Sequence, residues 1–351
     1  MRAFEYVTPT KKEQVATLLG EQGSILAGGT DLLALMKDDV VAPKRLVNIK
    51  QIESLRGTRF QPGNGLRIGA LTTVAELADH ASVRQNYPML AEALREAASP
   101  QIRNLATIGG NMCQRPRCWY FRNGMGLMAK TADGKSLVLE GDNRYAAILG
   151  NYGPAYIVSP STIAPALIAY GAKIRLYSAS APGSGVRELP LEKFFVIPKS
   201  ESELEHDLKP GEMVIEIIVP PPPQNLKAAT YEVRQRAAFD WPLAHACVTL
   251  EMDGNTVKTA RVVLGQVAPI PWIAQGSEQA LTGKSITPET AMAAANAAVA
   301  RAKPLSHNKY KITLTKVAVK RAILQCAPAS AKSALAGDPE NAAGHGSGGA
   351  A

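Results

Sequence analysis

The chain is poor in the residues that would commit it to several large classes of protein. It has four cysteines, at 113, 118, 247 and 326, too few and too scattered for a disulfide scaffold. No two form a CxxC pair, which argues against a zinc ribbon or ferredoxin-type cluster. No apolar run reaches the ~18–20 residues needed to cross a bilayer. The opening stretch, MRAFEYVTPTKKEQ, has no apolar core of the signal-peptide kind. The histidines, His80, His206, His245, His307 and His345, form no HxxxH or HExxH, and GxSxG is absent. GxGxxG after a first strand is absent, and so is GxxxxGK[ST]. That argues against a Rossmann or P-loop domain, though not against a dinucleotide ligand.

What is present is a globular composition. Of 351 residues, 46% are hydrophobic, enough for a sizeable core and against wholesale disorder. The length fits two to three domains at ~100–200 residues each. The net charge of +9 raises the question of nucleic acid. Residues 291–337 hold eight Lys or Arg and no acidic residue, and 338–351 contribute −2, leaving +3 for 1–290. The charge is therefore local. Without a recognition motif or interleaved aromatics it reads as a solvated face or a docking face for an acidic partner.

The pattern along the chain is α+β. Helical spacing covers 11–19, 32–36, 73–78, 89–98 and 165–170, then 288–302 and 309–326. On the last of these, Leu314, Val317, Arg321 and Leu324 share one side. Strand-like runs cover 24–27, 45–49, 66–70, 146–149, 155–158, 172–177, 213–219, 228–236, 246–252 and 261–267, with Asp253-Gly254 as a hairpin turn. The run Pro220-Pro221-Pro222-Pro223 marks a boundary, since it can join neither a ladder nor a helix interior. Residues 328–351, mostly Ala, Gly and Ser, read as a disordered tail.

Two segments carry possible chemistry. Leu26-Ala27-Gly28-Gly29-Thr30-Asp31-Leu32-Leu33 and Thr107-Ile108-Gly109-Gly110-Asn111 each read as a buried strand running into paired glycines. Glycine lets a backbone approach a ligand closely, and successive amides can form an anion nest. A following helix adds favourable potential for phosphate. Two such turns could clamp a pyrophosphate from both sides. Each could equally be a plain tight turn, with Thr30 or Asp31 capping the first helix.

ILAGGTDLLALMK, LRIGALTTVAELA and SPQIRNLATIGGNMCQ resemble the FAD-binding (medium) subunit of the xanthine dehydrogenase and aldehyde oxidoreductase family of molybdenum hydroxylases. PSTIAPALIAYGA, LKPGEMVIEIIVP, YEVRQRAAFDWPLA and YKITLTKVAVKRAIL continue the similarity to about residue 327. QRPRCWYFRNG looks most like the periplasmic aldehyde oxidoreductase branch. The resemblance implies an α+β fold: two FAD-binding subdomains of the PCMH-like flavoprotein type, at 1–58 and 59–223, then a small α+β domain at 224–327. It implies FAD contacts at Leu26, Ala27, Gly28, Gly29, Thr30, Asp31, Leu32 and Leu33, and at Thr107, Ile108, Gly109, Gly110 and Asn111. Thr162 and Val214 follow at family positions near the flavin. It also implies two partners, a molybdopterin-binding large subunit and a small subunit with [2Fe–2S] clusters. The compartment is then the cytoplasm, or the periplasm by co-export with a partner.

Three departures stand out. Thr162 replaces a family Asp, so a hydroxyl stands where a charge would be. Glu232 replaces a common Lys, which would shift the flavin potential if it faces the flavin, or leave it unchanged on a surface. The branch's extra [4Fe–4S] loop lacks its cysteines: only Cys118 stands in it, with none between 119 and 140, so no iron–sulfur cluster is expected in this chain. Two rivals remain. A free-standing FAD-linked oxidase would need a cap domain and usually covalent flavin, for which Cys113 is the nearest nucleophile. A flavin-free assembly module would leave the glycine turns empty.

Overall fold

The computed structural model describes residues 1–179, 185–236 and 239–327. The tail expected at 328–351 lies outside the described residues. Three sheets organise the chain, in sequence order. Strands β1 (Glu5–Val7), β2 (Gly23–Leu26) and β3 (Arg45–Asn48) form a small parallel sheet in the order β1-β3-β2. Helix Leu32–Lys37 follows β2 directly, and its Leu35 and Met36 are buried. Strands β4 (Thr58–Gln61), β5 (Gly65–Gly69), β6 (Lys173–Tyr177), β7 (Val186–Pro190) and β8 (Met213–Val219) form an antiparallel sheet in the order β4-β5-β8-β6-β7. β8, apolar but for Glu216, is the central strand, and Glu216 pairs with Arg67 of β5 and Arg175 of β6 on either side.

Helices Val74–Asp79, Pro88–Glu96 and Ile163–Ala169 pack on that sheet around Leu66, Ile68, Ile174 and Ile217. The first is set by a capping box: Thr73 Oγ1 accepts from Glu76 N at 3.1 Å and Glu76 Oε2 accepts from Thr73 N at 2.8 Å. The third sheet, also antiparallel, comprises β9 (Leu226–Val233), β10 (Ala244–Asp253), β11 (Thr256–Gly265) and β12 (Trp272–Ile273), ordered β12-β11-β10-β9. Ala246, Val248 and Leu250 face helices Pro288–Ala298 and Tyr310–Gln325, while the intervening Cys247 joins the core of the preceding layer. The sheet is thus buried on both faces.

Several expectations need correction. Residues 146–149 and 155–158 form no strand; Ile148 and Leu149 instead pack irregularly into the core under β10 and β11. The segment 106–111 is no strand-to-turn unit. Its glycines lie inside the short helix Ile108–Met112, capped by Thr107, whose hydroxyl accepts from Gly110 N at 3.2 Å. Strands β1, β4 and β7 and helix Gln275–Leu281 escape the periodic pattern, because they are short or half-exposed. In helix Tyr310–Gln325 the buried face runs through Lys311, Thr315, Ala318, Ala322 and Ile323, one step around from the side carrying Leu314 and Val317. Small residues there let the helix sit close against the sheet, and a lysine is buried among them.

Candidate functional site

A cleft of about 1140 Å³ runs between the parallel sheet, the Ile108–Met112 helix, the start of β8 and the end of β9. Of the residues expected to touch a cofactor, Ala27, Gly28, Gly29, Thr30, Asp31 and Leu32 line it, with Thr107, Gly109, Gly110, Asn111, Thr162 and Val214. The two glycine segments, 70 residues and more apart in sequence, therefore face one space. Leu26, Leu33 and Ile108 stand behind its wall. Leu26 packs with Met36 and Leu46, Leu33 lies against the same cluster, and Ile108 is in the core under the antiparallel sheet.

The two turns differ in chemistry. In the first, the amides of Gly28, Gly29, Thr30 and Asp31 donate to no acceptor among the described residues. Four consecutive open donors form a nest suited to an anion. Gly29 needs its glycine for backbone shape, with φ +75°. Gly28 needs it for close approach: a Cβ there would come within 2.0 Å of the Leu105 carbonyl oxygen. In the second segment the amides are already engaged. Ile108 N donates to Thr72 O, Gly109 N to Ala70 O, Gly110 N to the Thr107 hydroxyl and Asn111 N to Thr107 O, at 2.8 to 3.2 Å. Its Asn111 side chain accepts from the Ser161 hydroxyl at 2.6 Å, which ties it to the Ile163–Ala169 helix.

Asp31 occupies the N-cap position of its helix but does not cap it. Its carboxylate accepts instead from Arg115 N at 2.8 Å and from the guanidinium of Arg122 at 2.7 Å, and it pairs with Arg117 at 2.8 Å. Arg115 pairs in turn with Glu205 at 2.8 Å, while the guanidinium of Arg117 lies 5.0 Å over the Trp241 ring. Burial pushes the Glu205 carboxyl up, and it holds the neighbouring His206 imidazole down at about 4. The arginines of QRPRCWYFR thus form a charged shelf beside the first turn. Their density is the compositional signal for it; Trp241 and Arg234, further lining residues, stand in the stretch YEVRQRAAFDWPLA, where no feature singles out either one.

Thr162 lines the cleft with a side chain that makes no hydrogen bond among the described residues. Glu232 lies neither on the surface nor on the cleft wall. Its side chain is 8% exposed and accepts from Arg234 Nε at 2.8 Å; Arg234 is the lining residue. His245 is fully buried, with Nε2 2.6 Å from the Thr230 hydroxyl, and burial holds it at about 3, so it stays neutral. Cys113 and Cys118 are half-buried thiols pushed up by burial, which disfavours the thiolate a ligand or attachment point needs. Among the described residues no helix is long and apolar enough to cross a membrane.

Known proteins match this chain along nearly its whole length. Residues 2–222 match the model for the FAD binding domain in molybdopterin dehydrogenase, and residues 229–326 match the CO dehydrogenase flavoprotein C-terminal domain. The aldehyde oxidoreductase FAD-binding subunit PaoB of Escherichia coli (strain K12) is 31% identical over 90% of this chain and 96% of its own. The carbon monoxide dehydrogenase medium chain of Hydrogenophaga pseudoflava is 31% identical over 91% and 96%. A solved carbon monoxide dehydrogenase from Hydrogenophaga pseudoflava, lacking the Mo-pyranopterin moiety of its cofactor, superposes with a TM-score of 0.71 at 29% identity over 92% of this chain and 96% of that one. With the mixed α and β fold and both glycine segments on one cleft, the chain belongs to the FAD-binding subunits of the molybdenum hydroxylases, oxidoreductases of the xanthine dehydrogenase family.

Proposed function

We propose that the cleft holds FAD, with the diphosphate at the first glycine turn and the flavin ring towards Thr162 and Val214. The observation that carries this reading is the set of four unpaired amides on a wall that the second glycine segment also lines. Open amides that share one turn beside a cleft offer an anion several donors at once. FAD when bound supplies the redox chemistry, accepting electrons and passing them to an external acceptor. The chain's own residues bind and orient it. The turn and the arginine shelf hold its charge, and Val214 and Thr162 offer an apolar wall and a single neutral polar group.

We assign as partners a molybdopterin-binding large subunit, where an aldehyde or N-heterocycle is oxidised, and a small subunit with [2Fe–2S] clusters. We assign the assembly to the cytoplasm, or to the periplasm by co-export with a partner subunit. Co-expression with both subunits and an absorption spectrum test the reading. The expected result is one FAD per copy of this chain, released on denaturation. A purified complex without flavin bands after incubation with FAD overturns it. Flavin that stays with the denatured polypeptide favours the free-standing oxidase.

A further inference from the structure

This inference rests on the reading of the cleft as an FAD site. A dinucleotide diphosphate carries two negative charges, and a two-sided grip needs donors beyond the first turn. The amides of Ile108, Gly109, Gly110 and Asn111 are already spent inside the chain. The element that stands beside the open amides is the arginine shelf. Asp31, the last residue of the nest, holds the Arg115 amide and the guanidiniums of Arg117 and Arg122 at 2.7 to 2.8 Å. Arg115 and Arg117 both line the cleft.

Charge decides the next step. Asp31 alone would repel an anion bound at its own turn. Three guanidiniums set against the carboxyls of Asp31 and Glu205 leave a positive surplus, enlarged because burial favours the neutral form of Glu205. Arg117 is the preorganised member. Asp31 and the Trp241 ring fix its plane, and its Nε–H has no acceptor. A planar guanidinium so held matches phosphate oxygens better than a mobile ammonium does. We infer that Arg117 binds the diphosphate of FAD, completing the anion site begun by Gly28–Asp31, and that Asp31 is a positioning residue acting through Arg117.

The test uses the full chain stripped of flavin and titrated with FAD, ADP and riboflavin by fluorescence. ADP carries the diphosphate without the ring, and riboflavin the ring without phosphate. Arg117→Ala is expected to weaken FAD and ADP about tenfold or more, as loss of a charge-assisted hydrogen bond does, with riboflavin unchanged. Arg117→Lys should recover part of the loss. Asp31→Asn should weaken ADP with riboflavin unchanged, and Asp31→Glu should recover part of that. If Arg117→Ala fails to fold, Arg117→Gln carries the same comparison. ADP affinity equal to wild type overturns the assignment, and so does an equal loss for riboflavin. A wild-type chain that takes up no FAD overturns the flavin reading itself. Wild-type uptake with an unaffected variant overturns only the role of Arg117.

Discussion

Glu232 accepts the Nε–H of Arg234 at 2.8 Å, and through this pair a buried carboxyl backs a guanidinium on the cleft wall. Arg234 also pairs with Glu96 at 2.9 Å, which joins β9 to the end of the Pro88–Glu96 helix. The negative charge of Glu232 is therefore shielded from the cleft by Arg234.

Burial, partly offset by Arg234, pushes Glu232 up to about 7. Its folded value lies above the ~4.3 of an unfolded glutamate, so ionisation in the native state costs stability. That cost is absent in acid, grows as pH rises towards about 7 and is constant beyond it. Urea midpoints at several pH values should show wild type losing stability relative to Glu232→Gln over this window. Glu232→Lys should cost about 3 kcal/mol by leaving Arg234 facing a second buried cation. Differential scanning calorimetry would read it.

Lys311 is fully buried, and its ammonium donates to Gln266 O at 2.7 Å and to Tyr145 O and Ala146 O at 3.3 Å. Burial pulls it down to about 7. The unfolded chain then binds the extra proton between about 7 and the ordinary lysine value, so wild-type stability should rise with pH across that range. Lys311→Met should lack this slope. Equal pH dependence in both proteins would show that the three carbonyls keep the ammonium charged.

The glycines separate packing from binding. Gly28→Ala drives a methyl into the Leu105 carbonyl and should lower the melting temperature markedly. At Gly110 a Cβ meets only the Thr107 hydroxyl, at 2.9 Å. Gly110→Ala pushes that hydroxyl off its cap on Gly110 N, so it should stay folded but lose about 1 kcal/mol, less than Gly28→Ala loses. Circular dichroism melts of both variants check the order.

Thr162→Asp puts a carboxylate at a neutral place on the cleft wall. With FAD bound nearby it should make the flavin midpoint potential more negative, since added negative charge opposes reduction. Spectroelectrochemical titration would read the shift, and an unchanged potential would place Thr162 away from the ring.

Strong local signals made much of the fold legible before any coordinates. The run 213–219, apolar but for Glu216, matches β8 residue for residue, and the helical spacing at 73–78 meets helix Val74–Asp79. Paired glycines after apolar runs mark both glycine segments in the sequence, and both line the one cleft. What escaped depends on contacts across the chain. The helical nature of Ile108–Met112 comes from the Thr107 cap and from bonds to Ala70 and Thr72. The role of Asp31 depends on arginines 84 and 91 residues away in sequence. A lysine on the inward face of Tyr310–Gln325 contradicts the hydrophobic pattern, which offers no hint of the carbonyls that receive it.

Those carbonyls belong to a longer seam. Asn143 bonds Ser306 and His307, Asn308 bonds Ala146 and Ala147, Asn151 bonds Lys303 O, and Tyr310 bonds Arg144 O. Residues 143–151 fall within the 2–222 family match, yet their partners fall within 229–326. The two modules are stitched together by a strip that one encodes and the other needs. A chimera made by cutting between them would leave the Asn308 amide without Ala146 O and Ala147 O, and Lys311 with Gln266 O alone. Recombination among relatives should therefore preserve the pair, or carry the 143–151 strip along with the C-terminal module.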